Sequence, residues 1–321
     1  MHRFLALAFG VAALALAACG PASAQYPTRP VRLVVGFAPG GPTDILARRM
    51  AQYLTEKLGQ QFVVENKPGA TGNIATEYVI NQPADGYTIL VTSTANAINM
   101  TFYTKLSFDF LRDAEPVAGL ASISYLMLIN PGVPAKNLAE FIAYAKQNPG
   151  KINFASGGVG SSNQLAGELF KVMTGTNFVH VPYRGNAAAY TDLIGGQIQL
   201  IFADVASGRQ HAQSGALRAL GVTAPARLAT LPDLPAIAEA VPGYEANGWY
   251  GFAAPKGTPR EIIEKLNAAI NAGLNDPTLK AHFAGLEASP LVFTPKQYGE
   301  FLVSESERWG KAVKAAGVRG D

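Results

Sequence analysis

Residues 31–58 read VRLVVGFAPGGPTDILARRMAQYLTEKL, and the fold is read outward from them. The run 31–37 is apolar, long enough for a strand and too short for a helix. Pro39-Gly40-Gly41-Pro42 then breaks the chain. Leu46, Met50, Leu54 and Leu58 follow at four-residue spacing, which predicts an amphipathic helix. Pro42 suits the first helical position, and Asp44 complements the positive end of the helix dipole. Strand, glycine turn and helix start together present free backbone N–H groups that can hold an anion. The same order is also an ordinary connector in α/β proteins, so a single turn does not decide function.

An echo strengthens the ligand reading. Residues 152–173, INFASGGVGSSNQLAGELFKVM, repeat the arrangement. Ser161 and Gln164 have capping-box spacing, and Leu165, Leu169 and Met173 share one helix face. Two anion-ready turns far apart in sequence predict two lobes facing one ligand.

The rest of the chain alternates strands and helices, which predicts an α/β fold with mostly parallel sheets and helices on both faces. Strands are expected at 61–65, 86–92, 178–181 and 197–202, and a glycine-rich loop at 66–73. Ser93-Thr94-Ala95-Asn96 lies at the carboxyl end of one strand and Asp204 just past another, the side where α/β sheets bind ligands. Hydroxyls and an amide there either meet a carboxylate or form a plain polar turn. Asn137 with Glu140, Thr258 with Glu261, and Thr294 with Gln297 have the spacing of helix caps. Residues 117–129 and 243–255 are apolar and extended, and they predict two crossings between lobes. The expected division is 25–122 plus 250–321 for lobe 1 and 123–249 for lobe 2.

Composition bounds the function. The 321 residues are 48% hydrophobic and 15% charged, enough for two globular domains, and the net charge is +3 with no basic block. Nucleic-acid binding is therefore not expected. Residues 1–24 read as a leader, with Arg3, an apolar run at 4–18 and Ala22-Ser23-Ala24 as the cleavage signal. Leu16-Ala17-Ala18-Cys19 offers a rival, lipoprotein-type cut at Cys19, the one cysteine of the chain. Both place the protein outside the cytoplasmic membrane, and no disulfide or cofactor is expected.

Motifs for other chemistry are missing. The chain has no HExxH or cysteine cluster for a metal, no Walker-type phosphate loop and no GxSxG elbow. Residues 158–163, GVGSSN, fall one residue short of GxGxxG. A Ser161–His180–Asp204 triad has the residue types of a hydrolytic site, but nothing local supports it. Arg184 is placed either to pair with a ligand carboxylate or to sit on the surface. Trp249 and Tyr250 either wall a cleft or fill the seam between lobes.

Segments spanning nearly all of the chain after the leader carry a family resemblance: YPTRPVRLVVGFAPGGPTDILAR, VENKPGATGNIA, ADGYTILV, NPGKINFASGGVGSSNQLAGELFK, HVPYRGNAAAYTDLIGGQIQLIF, GALRALGVTAPARLATLPDLPAIAEA and APKGTP. The sequence resembles the extracytoplasmic substrate-binding receptors of tripartite tricarboxylate transporters, often called Bug-type proteins. The resemblance implies a type II-like, two-lobed periplasmic-binding-protein fold that closes on a small organic acid. It implies ligand contacts from Phe37, Gly40, Gly41 and Asp44 in the first loop and from Ser156, Gly157 and Gly160 in the second. Thr92, Ser93 and Asn96 would line one wall, Tyr183 and Asp204 the other. The expected function is a monomeric periplasmic receptor, not an enzyme, that delivers a tricarboxylate, dicarboxylate, aromatic acid or amino acid to membrane permease subunits. A hydrolase or transferase on the same fold, or a sensor lobe for a membrane kinase, are the alternatives.

Overall fold

In the computed structural model, residues 26–183 and 186–320 are described. The expected leader at 1–24, with Cys19, and Arg184 lie outside them.

The first strand, β1 (Val31–Val35), is buried between two parallel neighbours, with Val31 opposite Phe62 and Arg32 opposite Thr88. Enclosure on both edges and both faces explains why it reads as a continuous apolar run rather than an alternating one. Helix α1 (Pro42–Leu58) carries Pro42 in its first turn and buries Leu46, Met50 and Leu54. Gly59, at φ 72°, ends it in the left-handed conformation. β2 (Phe62–Asn66), α2 (Asn73–Ile80), β3 (Thr88–Ser93), α3 (Thr94–Phe102), α4 (Phe110–Asp113) and β4 (Ala114–Ile123) complete this part of the lobe.

After Ser124 the chain starts a second sheet with β5 (Tyr125–Ile129). There follow α5 (Leu138–Gln147), β6 (Ile152–Ser156), α6 (Ser162–Thr174), β7 (Phe178–Pro182), α7 (Asn186–Ile194), β8 (Leu200–Asp204), α8 (Val205–Gln213) and β9 (Arg218–Val222). β10 (Gly248–Pro255) returns to the first sheet, followed by α9 (Arg260–Asn275), α10 (Pro277–Gly285), β11 (Ala288–Pro290) and α11 (Pro295–Ala316).

The sheets are mixed rather than mostly parallel, which corrects that part of the expectation. The first has strand order β11-β4-β10-β3-β1-β2, the second β7-β6-β8-β5-β9. Four strand pairings are parallel and five antiparallel. The crossings account for four of the five antiparallel pairings, the fifth being β11 on β4. A strand that has just arrived from the other lobe starts at the seam, where the parallel strands end, so it runs against them. β10 does this in the first sheet between β3 and β4, and β5 in the second between β8 and β9.

Local capping follows the sequence at two helices and departs from it at two. Thr294 and Gln297 form the expected box at α11, and Asn137 Oδ1 accepts from the Glu140 N–H at 2.9 Å. Thr258 instead donates to the Pro255 carbonyl at 2.8 Å, and α9 begins after Pro259 without a side-chain cap. Ser161 donates to the Gly158 carbonyl at 2.5 Å, while Gln164 Oε1 reaches back past it to the Gly160 N–H at 2.7 Å. In both places a tight turn beside the helix offers a nearer partner than the helix itself.

The final helix packs on α3 and β4 and also on α6, so it touches both lobes. Its Glu305 carboxylate accepts from Trp249 Nε1 at 2.6 Å and Trp309 Nε1 at 3.0 Å, and Arg308 donates to it at 2.8 Å. Trp249 therefore ties the returning strand to the last helix and does not face a cleft.

Candidate functional site

The carboxyl ends of β1 and β3 in one lobe and of β6 and β8 in the other open onto one cavity of about 780 Å³. Four helices begin at its wall. α1 contributes Gly41, Pro42 and Thr43, α3 contributes Ser93, Thr94 and Ala95, α6 contributes Ser161, Ser162 and Asn163, and α8 contributes Asp204 and Ser207. Two come from each lobe. The first-turn N–H groups of a helix lack an intrahelical partner, and its dipole adds roughly half a positive charge there. Asp204 is the one Asp, Glu, Lys or Arg on the wall among the described residues.

Three tyrosines complete the wall, and each hydroxyl is tied to a hydroxyl at one of these helix starts. Tyr125 Oη lies 2.6 Å from Ser162 Oγ, Tyr190 Oη 2.8 Å from Ser207 Oγ, and Tyr250 bonds Thr43. Burial, with the Asp204 carboxylate adding to it, holds the Tyr125 hydroxyl far above its ordinary pKa, and burial does the same for Tyr250. Burial pushes Tyr190 up to about 12. All three remain neutral hydroxyls at physiological pH.

The second glycine turn is held by Asn163, itself on the wall. Asn163 accepts from the Gly157 N–H at 3.4 Å and donates to the Phe202 carbonyl of β8 at 3.2 Å. It thereby fixes the turn to the neighbouring strand.

Residues 46–318 match the model of the tripartite tricarboxylate transporter family receptor. The chain belongs to this receptor family. It is 35% identical to BugT of Bordetella pertussis across 99% of both chains. An R. palustris protein solved with adipate superposes with a TM-score of 0.82 at 38% identity, over 92% of this chain and 99% of that one. MatC from Rhodopseudomonas palustris with bound malate gives 0.78 at 30% identity, over 90% of this chain and all of the other.

Within this receptor the expected site residues divide into two groups. Phe37, Gly41, Ser93, Gly157 and Asp204 line the cavity. Gly40, Asp44, Thr92, Asn96, Ser156, Gly160 and Tyr183 are not on its wall, because local partners take up their polar groups. Asp44 is a brace: its buried carboxylate accepts from the Gly40 N–H at 3.0 Å, Arg48 Nε at 2.9 Å and Asn66 Nδ2 at 2.9 Å. Thr92 Oγ1 meets Tyr298 Oη at 2.6 Å behind the sheet. Asn96 accepts from the Ser93 N–H and donates to Thr76 Oγ1, both at 2.8 Å. Gly160 sits at φ 77° against Phe102, and Tyr183 donates to Asp192 at 2.7 Å.

Ser156 is fully buried, with its Oγ 2.6 Å from His180 Nε2. Gln164 Nε2 lies 3.1 Å from the other ring nitrogen, where a hydrolytic triad would hold a carboxylate. Burial, with Lys171 nearby, lowers the His180 imidazole to about 4, so it is neutral at pH 7. Ser161 bonds its own turn rather than His180. Wall residues that sequence reasoning missed include Thr43, Tyr125, Ser162, Tyr190, Ser207, Gln210 and His211. Ser162 carried a signal, since it opens the helix after the second glycine turn. The tyrosines carried none, because in sequence they read as core.

The Asp44 brace has a measurable consequence. Burial raises its pKa, but the hydrogen bonds from Arg48, Gly40 and Asn66 outweigh that and hold the carboxyl below its ordinary value. A depressed folded-state pKa means that the stabilisation is complete above the unfolded carboxylate pKa and disappears as pH falls through the folded one. Asp44→Asn is expected to lower unfolding free energy by about 2 kcal/mol at pH 7. The gap to the parent narrows below about pH 4. Urea titrations at pH 7 and pH 3 measure both.

Proposed function

We propose that this receptor captures a small carboxylate between its lobes, in the periplasm, and hands it to the membrane subunits of a tripartite transporter without chemical change. One observation carries this reading. The starts of four helices, two from each lobe, meet in one cavity that has no lysine or arginine on its wall among the described residues. Such a wall favours an anion through oriented dipoles instead of an ion pair. The adipate- and malate-bound neighbours support the ligand class. The leader expected at 1–24 from the sequence would direct export, and among the described residues no helix is long and apolar enough to cross a membrane. We place the lobe boundary at the two crossings, with the hinge where β4 gives way to β5 and where the chain enters β10. A monomer is sufficient for this role, since one chain supplies the binding turns of both lobes.

Closure on the ligand links binding to stability. A carboxylate present at a hundred times its Kd adds about 2.7 kcal/mol to the folded state and raises Tm by roughly 5 °C. A thermal-shift screen over organic acids, sugars and divalent metal salts reads this out. Shifts with sugars or metals and none with any acid would overturn the proposal.

A further inference from the structure

The cavity wall also bears on the body of the acid, an inference that rests on the carboxylate reading above. Phe37 and Tyr250 come from the first lobe, Tyr125 and Tyr190 from the second, and all four line the cavity. The Tyr190 ring pairs with the imidazole of His211, also on the wall, at a centroid distance of 4.4 Å. Each tyrosine hydroxyl already has a serine or threonine partner. The rings are therefore fixed in place, and what they add to the wall is largely apolar surface. At about 780 Å³ the cavity lies in the upper part of the range of about 300–1,000 Å³ that small-molecule sites occupy.

A citrate-like acid needs a positive partner or several donors for every carboxylate, because a buried charge without them is strongly disfavoured. Here the donors cluster at the helix starts, and the described wall offers no cationic side chain for a second or third carboxylate. A ring-bearing acid needs only one of these helix starts for its carboxylate and apolar walls for its body, whereas a second or third carboxylate would also face Asp204. We propose that the ligand is a monocarboxylate with a ring-sized apolar body, its carboxylate at the helix starts and its ring among Phe37, Tyr125, Tyr190 and Tyr250. The tyrosines stay uncharged at physiological pH, so they present no negative charge to the anion.

Calorimetric titration of the purified receptor with benzoate, phenylacetate, cyclohexanecarboxylate, malate, adipate and citrate tests this. At least one ring acid is expected to bind tenfold or more tighter than malate, adipate and citrate. Tyr190→Leu, which keeps bulk but loses the ring, should weaken that acid about tenfold, whereas Tyr190→Phe should stay within threefold. Phe37→Leu serves as the second wall variant, and the ligand-free Tm of each shows whether the fold has survived. Tightest binding of malate, adipate or citrate, or ring-acid affinity unchanged in both leucine variants, overturns the inference and leaves the carboxylate reading standing. Silence toward all six acids overturns both.

Discussion

Glu305→Ala is expected to lower Tm on the order of 10 °C. The carboxylate is 5% exposed and accepts from both tryptophans of the protein and from Arg308. Truncation leaves two buried indole N–H groups unsatisfied, at about 1–3 kcal/mol each, and removes one of the two carboxylate partners of a half-buried guanidinium, which keeps Glu245 at 3.5 Å. The total is about 4 kcal/mol, which at roughly 2–4 °C per kcal/mol gives the stated shift. Glu305→Gln keeps one acceptor oxygen and should lose about half as much. Because both indoles bond this carboxylate, intrinsic tryptophan emission reports the same event, and Glu305→Ala should shift it to the red before thermal unfolding begins. Equal and small losses in both variants, below about 1 kcal/mol, would show that Trp249 and α11 are held by packing alone.

The contrast between Glu305 and Asp44 shows what the chain reveals before it is folded. The strand, glycine turn and helix around residues 31–58 were legible because their signals are local: an apolar run, Pro39 to Pro42, and apolar spacing of four. The meeting of the two glycine turns followed from their repetition, and the structure brings Gly41 and Gly157 to one cavity. Side-chain direction was not local. Asp44 sits in the first turn of a helix that opens on the cavity, yet Asn66, twenty-two residues on, turns its carboxylate inward. Thr92 lies one residue before Ser93, but the strand's alternation sends it to Tyr298 behind the sheet. Tyr125 and Tyr250 lie in apolar crossing segments, and each hydroxyl bonds inside its own lobe to a residue far away in the chain, Ser162 and Thr43, so no local signal announces the contact. The mixed strand directions were hidden for the same reason. Antiparallel entry of β5 and β10 is a property of the seam and not of either strand's composition.

A carboxylate built into the site should separate folding from binding. Ser162 opens α6, lines the cavity and bonds Tyr125 at 2.6 Å. Aspartate suits a first helical turn, where it interacts favourably with the dipole by about 0.3–1 kcal/mol, and it can still accept from the tyrosine hydroxyl. Ser162→Asp is therefore expected to leave the ligand-free Tm within about 3 °C of the parent. For an anionic ligand the same change occupies the positive end of the dipole and adds like charge. At about 5 Å and an effective dielectric constant near 20 the repulsion is roughly 3 kcal/mol, a loss of affinity on the order of a hundredfold. Ser162→Asn, similar in shape and uncharged, should lose far less, which isolates charge from size. The loss should also shrink in high salt if the ligand reaches the site while the lobes are open to solvent. Calorimetry on the three proteins with the tightest acid of the panel gives the comparison. Parent-like affinity in Ser162→Asp would mean that the anion does not rest on the start of α6, and the convergence of helix ends would lose its place as the basis of recognition.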